Sequence, residues 1–73
     1  MKSGKIKSVL SVREIQVLKL IFAEKSNEQI AIKLRVTIHT IRFHRSNLFK
    51  KTKSKTIIGL MKYALKRKLV KGV

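Results

Sequence analysis

Ser46 and His44 bring a hydroxyl and an imidazole within two residues of each other, but residues two apart on a helix point in different directions. No carboxylate follows Glu28 to orient the ring, so the pair cannot do hydrolytic chemistry. His39 and His44 lie five apart, on different faces, and no Asp, Glu or Cys follows them. No metal or cofactor site is expected from such a ligand set, and His44 is expected to fill a helix–helix contact with a hydrogen bond. What the same stretch does offer is contact with a polyanion. At about 100° per residue, Ile38, His39, Arg42, Phe43, Ser46 and Lys50 share one arc of a helix. Ile41, Leu48 and Thr52 share the other, with His44 and Thr40 beside them. The first arc suits a DNA major groove: Arg pairs bidentately with guanine, Ser donates or accepts, and an apolar ring touches a thymine methyl. An ordinary solvated face would also carry Arg42 and Ser46, and the lack of nearby counter-charge favours DNA. Phe43 is either a groove contact or part of the core of a helix rotated from this setting.

That helix needs a partner to hold it. Ser26 followed by Gln29 makes a capping box, and Ile30, Ala31 and Leu34 then mark one apolar face. Thr37 is a good N-cap type for the second helix. Only Arg35 and Val36 are left for the corner, which is how a helix-turn-helix is built. Upstream, Ser11 and Glu14 form a second capping box, and Ile15, Leu18, Ile21 and Phe22 mark a stripe up to Glu24. Downstream, KTKSK is a charged break and Thr56 can cap a last helix with the stripe Leu60, Met61, Ala64 and Leu65. Leu69 and Val70 follow just beyond it or on its last turn. Gly59 reads as a tolerated first-turn glycine rather than a point of close backbone approach. No strand pattern, internal repeat or proline appears. Residues 1–8 have the composition of a flexible basic linker or frayed terminus, and residues 9–73 form one all-α domain of four helices.

Seventy-three residues leave little room for a deep catalytic pocket, and a chain this short buries only about 60% of the surface its unfolded form exposes. Nineteen Lys and Arg against three acids give a net charge of +16, with thirteen basic residues and no carboxylate after Glu28. A polyanionic partner follows. The absence of cysteine rules out disulfides and thiolate metal sites and suits a reducing cytosol. No apolar run reaches the length of a membrane span, and the opening residues lack a signal peptide's apolar core. The chain therefore reads as soluble and cytoplasmic.

LSVREIQVLKLI resembles the opening L-S/T-x-R-E-x-x-V-L of the LuxR/FixJ-type helix-turn-helix, also called the GerE type, which ends many bacterial response regulators and quorum sensors. SNEQIAIKLRVTIHTIRFHRSNL is similar to that family's S-N-x-x-I-A-x-x-L and S/T-x-x-T-V-x-x-H-x-x-x-I/L core, and MKYALKRKLV to its final helix. The similarity runs over residues 10–70. It implies a four-helix domain whose third helix enters the major groove and whose fourth mediates dimerisation, here through Leu60, Met61, Ala64 and Leu65. The basic N-terminal segment suggests either the output end of a larger regulator with an upstream receiver or sensor domain or a free-standing protein of the same fold. Carried over residue by residue, base reading falls on Arg42, Phe43 and Ser46. Phosphate contact falls on Ser26, Asn27, Thr37, Thr40, Arg45 and Lys50. The chain departs from the pattern where Thr52 and Lys53 replace Leu-Gly, where Lys68 replaces the glycine before the last leucine, and at the bulky Phe43.

Sequence-specific binding of double-stranded DNA by a transcription regulator, without catalysis, is the expected function. The alternative is a small basic RNA-binding or ribosome-associated protein. A-form RNA closes its major groove to a helix, however, and neither a GXXG loop nor an aromatic sheet motif is present. A cationic membrane-active peptide would need one long amphipathic face, and separately capped helices argue against it. The run Lys66, Arg67 and Lys68 reads as a solvated helix end favoured by the dipole.

Overall fold

The computed structural model describes residues 10–69. They form four helices, α1 (Val12–Phe22), α2 (Asn27–Leu34), α3 (Ile38–Thr52) and α4 (Ile57–Lys66). Each starts where a hydroxyl side chain accepts a hydrogen bond from a first-turn amide. Ser11 accepts from the Glu14 N–H, Ser26 from Gln29, Thr37 from Thr40 and Thr56 from Gly59. At Ser11 and Ser26 the bond is returned by the side chain three residues on, completing both expected capping boxes.

Leu18, Ile30, Ile41, Leu48, Leu60 and Val17 are the largest fully buried side chains. Every helix thus contributes at least one, and α3 packs against all three others. The α1 face is turned from the expected stripe toward Val17 and Glu14. Val17 is wholly buried, whereas Phe22 sits half-buried at the edge. In α3, Ile41 and Leu48 point inward as expected and Phe49 packs at the helix end. Ile38 does not join the solvent arc. It packs against the core at the start of α3, just after the left-handed corner at Arg35.

All four helices end in the same way. Glu24, Arg35, Lys53 and Lys68 have positive φ between 57° and 63°. At each, the residue's N–H donates to the carbonyl three residues back and the next residue's N–H to the carbonyl five residues before it, as in Ser54 to Phe49 at 3.0 Å and Leu69 to Ala64 at 2.9 Å. This pair of hydrogen bonds satisfies carbonyls the helix leaves open, and glycine is the usual residue at the left-handed position. A Cβ there costs about 1 kcal/mol. Two of the four positions, Lys53 and Lys68, are those where the sequence departs from the glycines of the family it resembles. Lys53→Gly and Lys68→Gly are each expected to raise stability by about 0.5–1 kcal/mol, partly offset by the freer unfolded chain. Urea midpoints check this, and a lowered midpoint would contradict the strain. Gly59 falls in the first turn of α4, where the nearest atoms to an added Cβ are the side-chain Thr56 Oγ1 at 3.5 Å, Ser54 Cβ at 3.7 Å and Ser54 Oγ at 3.9 Å. No close backbone approach requires it.

Candidate nucleic-acid interface

The sequence of α3 divides it into an anchored side and an open side. With Ile41 and Leu48 fixed in the core and Ile38 and Phe49 packed beside them, His39, Arg42, Phe43, Ser46 and Lys50 are left exposed. Phe43 is 59% exposed, so the alternative that it belongs to the core is excluded. Its ring leans on His44, with centroids 5.9 Å apart and planes tilted by 58°. The Arg42, Phe43 and Ser46 expected to read bases therefore stand together on the solvent side of one helix. Arg42 and Lys50 have no carboxylate partner, since the ion pair found among the described residues joins Lys51 to Glu14 at 2.9 Å.

The residues expected on phosphate surround this face. Thr37 Oγ1 accepts from the Thr40 amide at 3.1 Å and lies 3.0 Å from Thr40 Oγ1. One hydroxyl of that pair must donate to the other, which leaves one free to donate outward. Ser26 Oγ accepts from Gln29 N–H at 3.1 Å and retains its own hydrogen. Capping and phosphate donation are thus compatible at both helix starts, where exposed amides and the dipole also favour an anion. Asn27, Thr40 and Arg45 are half-buried and Ser26, Thr37 and Lys50 exposed.

Other expected residues land differently. Leu60 and Ala64 are completely buried, so they complete the core and cannot touch a second copy. Apolar surface on α4 instead comes from Ile58 at 69%, Leu65 at 42% and Ile57 at 41% exposed, with Met61 half-buried. His44 is half-buried, and the expected hydrogen bond is not seen: its buried Nδ1 has no partner among the described residues. Thr52, expected to pack, is half-buried and donates its hydroxyl to the Leu48 carbonyl at 2.7 Å. Arg67 lies over the Tyr63 ring, 5.0 Å from its centroid.

Glu14 is a residue whose second role sequence spacing did not reveal. Only 4% exposed, it accepts from the Ser11 amide and from Lys51 Nζ, both at 2.9 Å, so it fastens α1 to the C-terminal half of α3. Burial pushes its carboxyl up, but the Ser11 amide, the Lys51 ammonium and the Ser11 hydroxyl together hold it below the ordinary 4.5. A partner 37 positions away leaves no local signal in the sequence.

Residues 8–64 match the family model described as bacterial regulatory proteins, luxR family. The oxygen regulatory protein NreC of Staphylococcus carnosus is 39% identical over 62 residues, spanning 85% of this chain and 29% of NreC. NreC of Staphylococcus aureus strain JH9 has the same identity and coverage. The solved transcription factor GerE superposes with a TM-score of 0.82 at 25% identity, covering 89% of this chain and 97% of GerE. The response regulator ChrA of a heme-sensing two-component system matches with a TM-score of 0.78 at 27% identity, over 90% of this chain and 33% of ChrA. The chain thus spans under a third of the NreC proteins and almost the whole of the GerE structure.

Proposed function

Because the chain belongs to the luxR family of bacterial regulatory proteins, whose helix-turn-helix domains bind DNA, we propose that it reads duplex DNA by sequence with α3 in the major groove. It acts in the cytoplasm as the output domain of a transcription regulator, docking without catalysis or cofactor. The domain belongs to a response regulator with a receiver or sensor domain or to a free-standing regulator of the same fold; the basic segment 1–8 expected as a linker lies outside the described residues. The observation that carries this reading is the open arc of α3, where Arg42, Phe43 and Ser46 stand exposed. Arg42 and Ser46 address base edges, with Phe43 against a thymine methyl. Ser26, Asn27, Thr37, Thr40, Arg45 and Lys50 hold the phosphates on either side.

Dimerisation follows on the DNA. With Leu60 and Ala64 buried, Ile58, Met61 and Leu65 leave only a narrow apolar strip on α4. Two domains of +16 repel each other until DNA supplies counter-charge. The free chain is expected to sediment as a monomer at micromolar concentration, and the second domain to bind more tightly than the first on two half-sites about one helical turn apart. Leu65→Asp removes that gain while leaving single-site affinity within a few-fold. Equal affinity per site on one-site and two-site duplexes would refute the dimer.

The experiment for DNA binding itself is a salt titration on duplex DNA beside duplex RNA of the same length. Each phosphate neutralised adds about −0.9 to the log-log slope, so a DNA slope steeper than about −3 is expected. RNA should bind more weakly at every salt. A nearly flat slope, or tighter RNA binding, would overturn the reading.

A further inference from the structure

Lys25, Gln29, Ile32 and Lys33 line an open depression of about 300 Å³ on α2. Ile30 and Ala31 are buried in the core and Leu34 packs against it, whereas Ile32 is 78% exposed. At about 100° per residue, Ile32 and Gln29 stand across the helix from those three side chains, on its outward face. Lysine stems lie along apolar surface while their charged heads stay in water, so an aliphatic centre is flanked by two ammonium groups. Gln29 Oε1 is engaged by the Ser26 amide at 2.8 Å, which leaves the Gln29 amide group to donate. The neighbouring carboxylates Glu24 and Glu28 do not line the depression, and neither pairs with Lys25 or Lys33 among the described residues.

Phosphodiester oxygens would suit the two lysines but would set a charged backbone against Ile32. Carboxylates beside an apolar side chain satisfy every group in the depression. We propose that this face of α2 docks a partner protein through an acidic segment whose carboxylates flank an aliphatic or aromatic residue. The apolar residue covers Ile32, and the carboxylates meet Lys25, Lys33 and the Gln29 amide. The inference rests on the DNA-binding reading in one respect: α3 faces the duplex and only the start of α2, at Ser26 and Asn27, reaches phosphate, so the arc around Ile32 stays open while DNA is held.

The test uses the whole 73-residue chain, labelled for amide spectra, and a synthetic peptide of alternating Asp and Leu. The peptide is added to the free chain and to the chain saturated with duplex DNA. In both states, residues 25–33 should shift. Ile32→Ser changes an exposed side chain and should leave folding and DNA affinity intact, but should weaken the peptide about tenfold through lost apolar burial. Replacing the peptide's leucines by serine should weaken it to the same degree. Unchanged peptide affinity in Ile32→Ser, or peptide shifts confined to α3, would overturn the proposal. So would duplex DNA alone shifting Ile32 and Lys33 as strongly as Arg42, because the face would then belong to the DNA site. Should the chain bind no duplex at all while the peptide still binds at Ile32, the DNA reading fails and the docking surface stands.

Discussion

Arg42→Ala is expected to lose about 1–3 kcal/mol of discrimination at one base pair, roughly a 5- to 150-fold loss of preference, because a bidentate contact to a base edge disappears. Lys50→Ala should instead weaken all duplexes alike and make the salt slope shallower by about 1. The contrast depends on the setting of α3. Arg42 shares the exposed arc with Phe43 and Ser46, while Lys50 stands two turns further along. Competition binding with duplexes altered one base pair at a time separates the two outcomes. Uniform loss in both variants would mean that the helix lies on the backbone in another orientation.

Lys51→Ala should cost about 1–3 kcal/mol of stability by leaving the Glu14 carboxylate buried without its cation. Loss of a fully buried pair would cost more, but the Lys51 side chain is 41% exposed and water can partly replace it. The pH dependence has a definite sign. The folded pKa of Glu14 lies below its ordinary 4.5, so its contribution is fully present above about pH 4.5 and is lost as pH falls through the lowered value. Lys51→Ala should lose less stability than the wild type over that acid window, since part of what protonation removes is already gone. Urea unfolding at neutral and acidic pH checks both statements. Equal acid sensitivity in the two proteins would show that the ion pair does not anchor α3. Since Lys51 lies at the far end of α3 from Arg42, DNA affinity in the variant should fall less than stability does.

The helix starts were readable from single residues because capping is local. Ser11, Ser26, Thr37 and Thr56 each act within three residues of themselves. The helix ends were less readable. Arg35 and Val36 were recognised together as the corner, but Glu24, Lys53 and Lys68 adopt a conformation their side chains do not favour, so their types carry no sign of it. Periodicity located the α3 core at Ile41 and Leu48 and the open arc at Arg42, Phe43 and Ser46. It misplaced Ile38, which packs against the core at the start of α3, just after the corner. On α4 the apolar stripe was visible, but its division between core and surface was not. Leu60 and Ala64 are buried while Leu65 remains 42% exposed, and that division depends on the angle at which α4 meets α3. The Glu14–Lys51 bond lay beyond any local pattern for the same reason: it exists only once α1 and α3 have packed.

Selection of bound molecules from a random duplex DNA pool, run beside a random RNA pool at the same salt with the wild type and Arg42→Ala, tests most directly that the open arc of α3 reads bases. The account predicts that the wild type enriches a defined duplex motif and no RNA, and that Arg42→Ala relaxes the motif at one base pair per half-site. An enriched RNA, a DNA pool bound without sequence preference, or an unchanged motif from Arg42→Ala would contradict it.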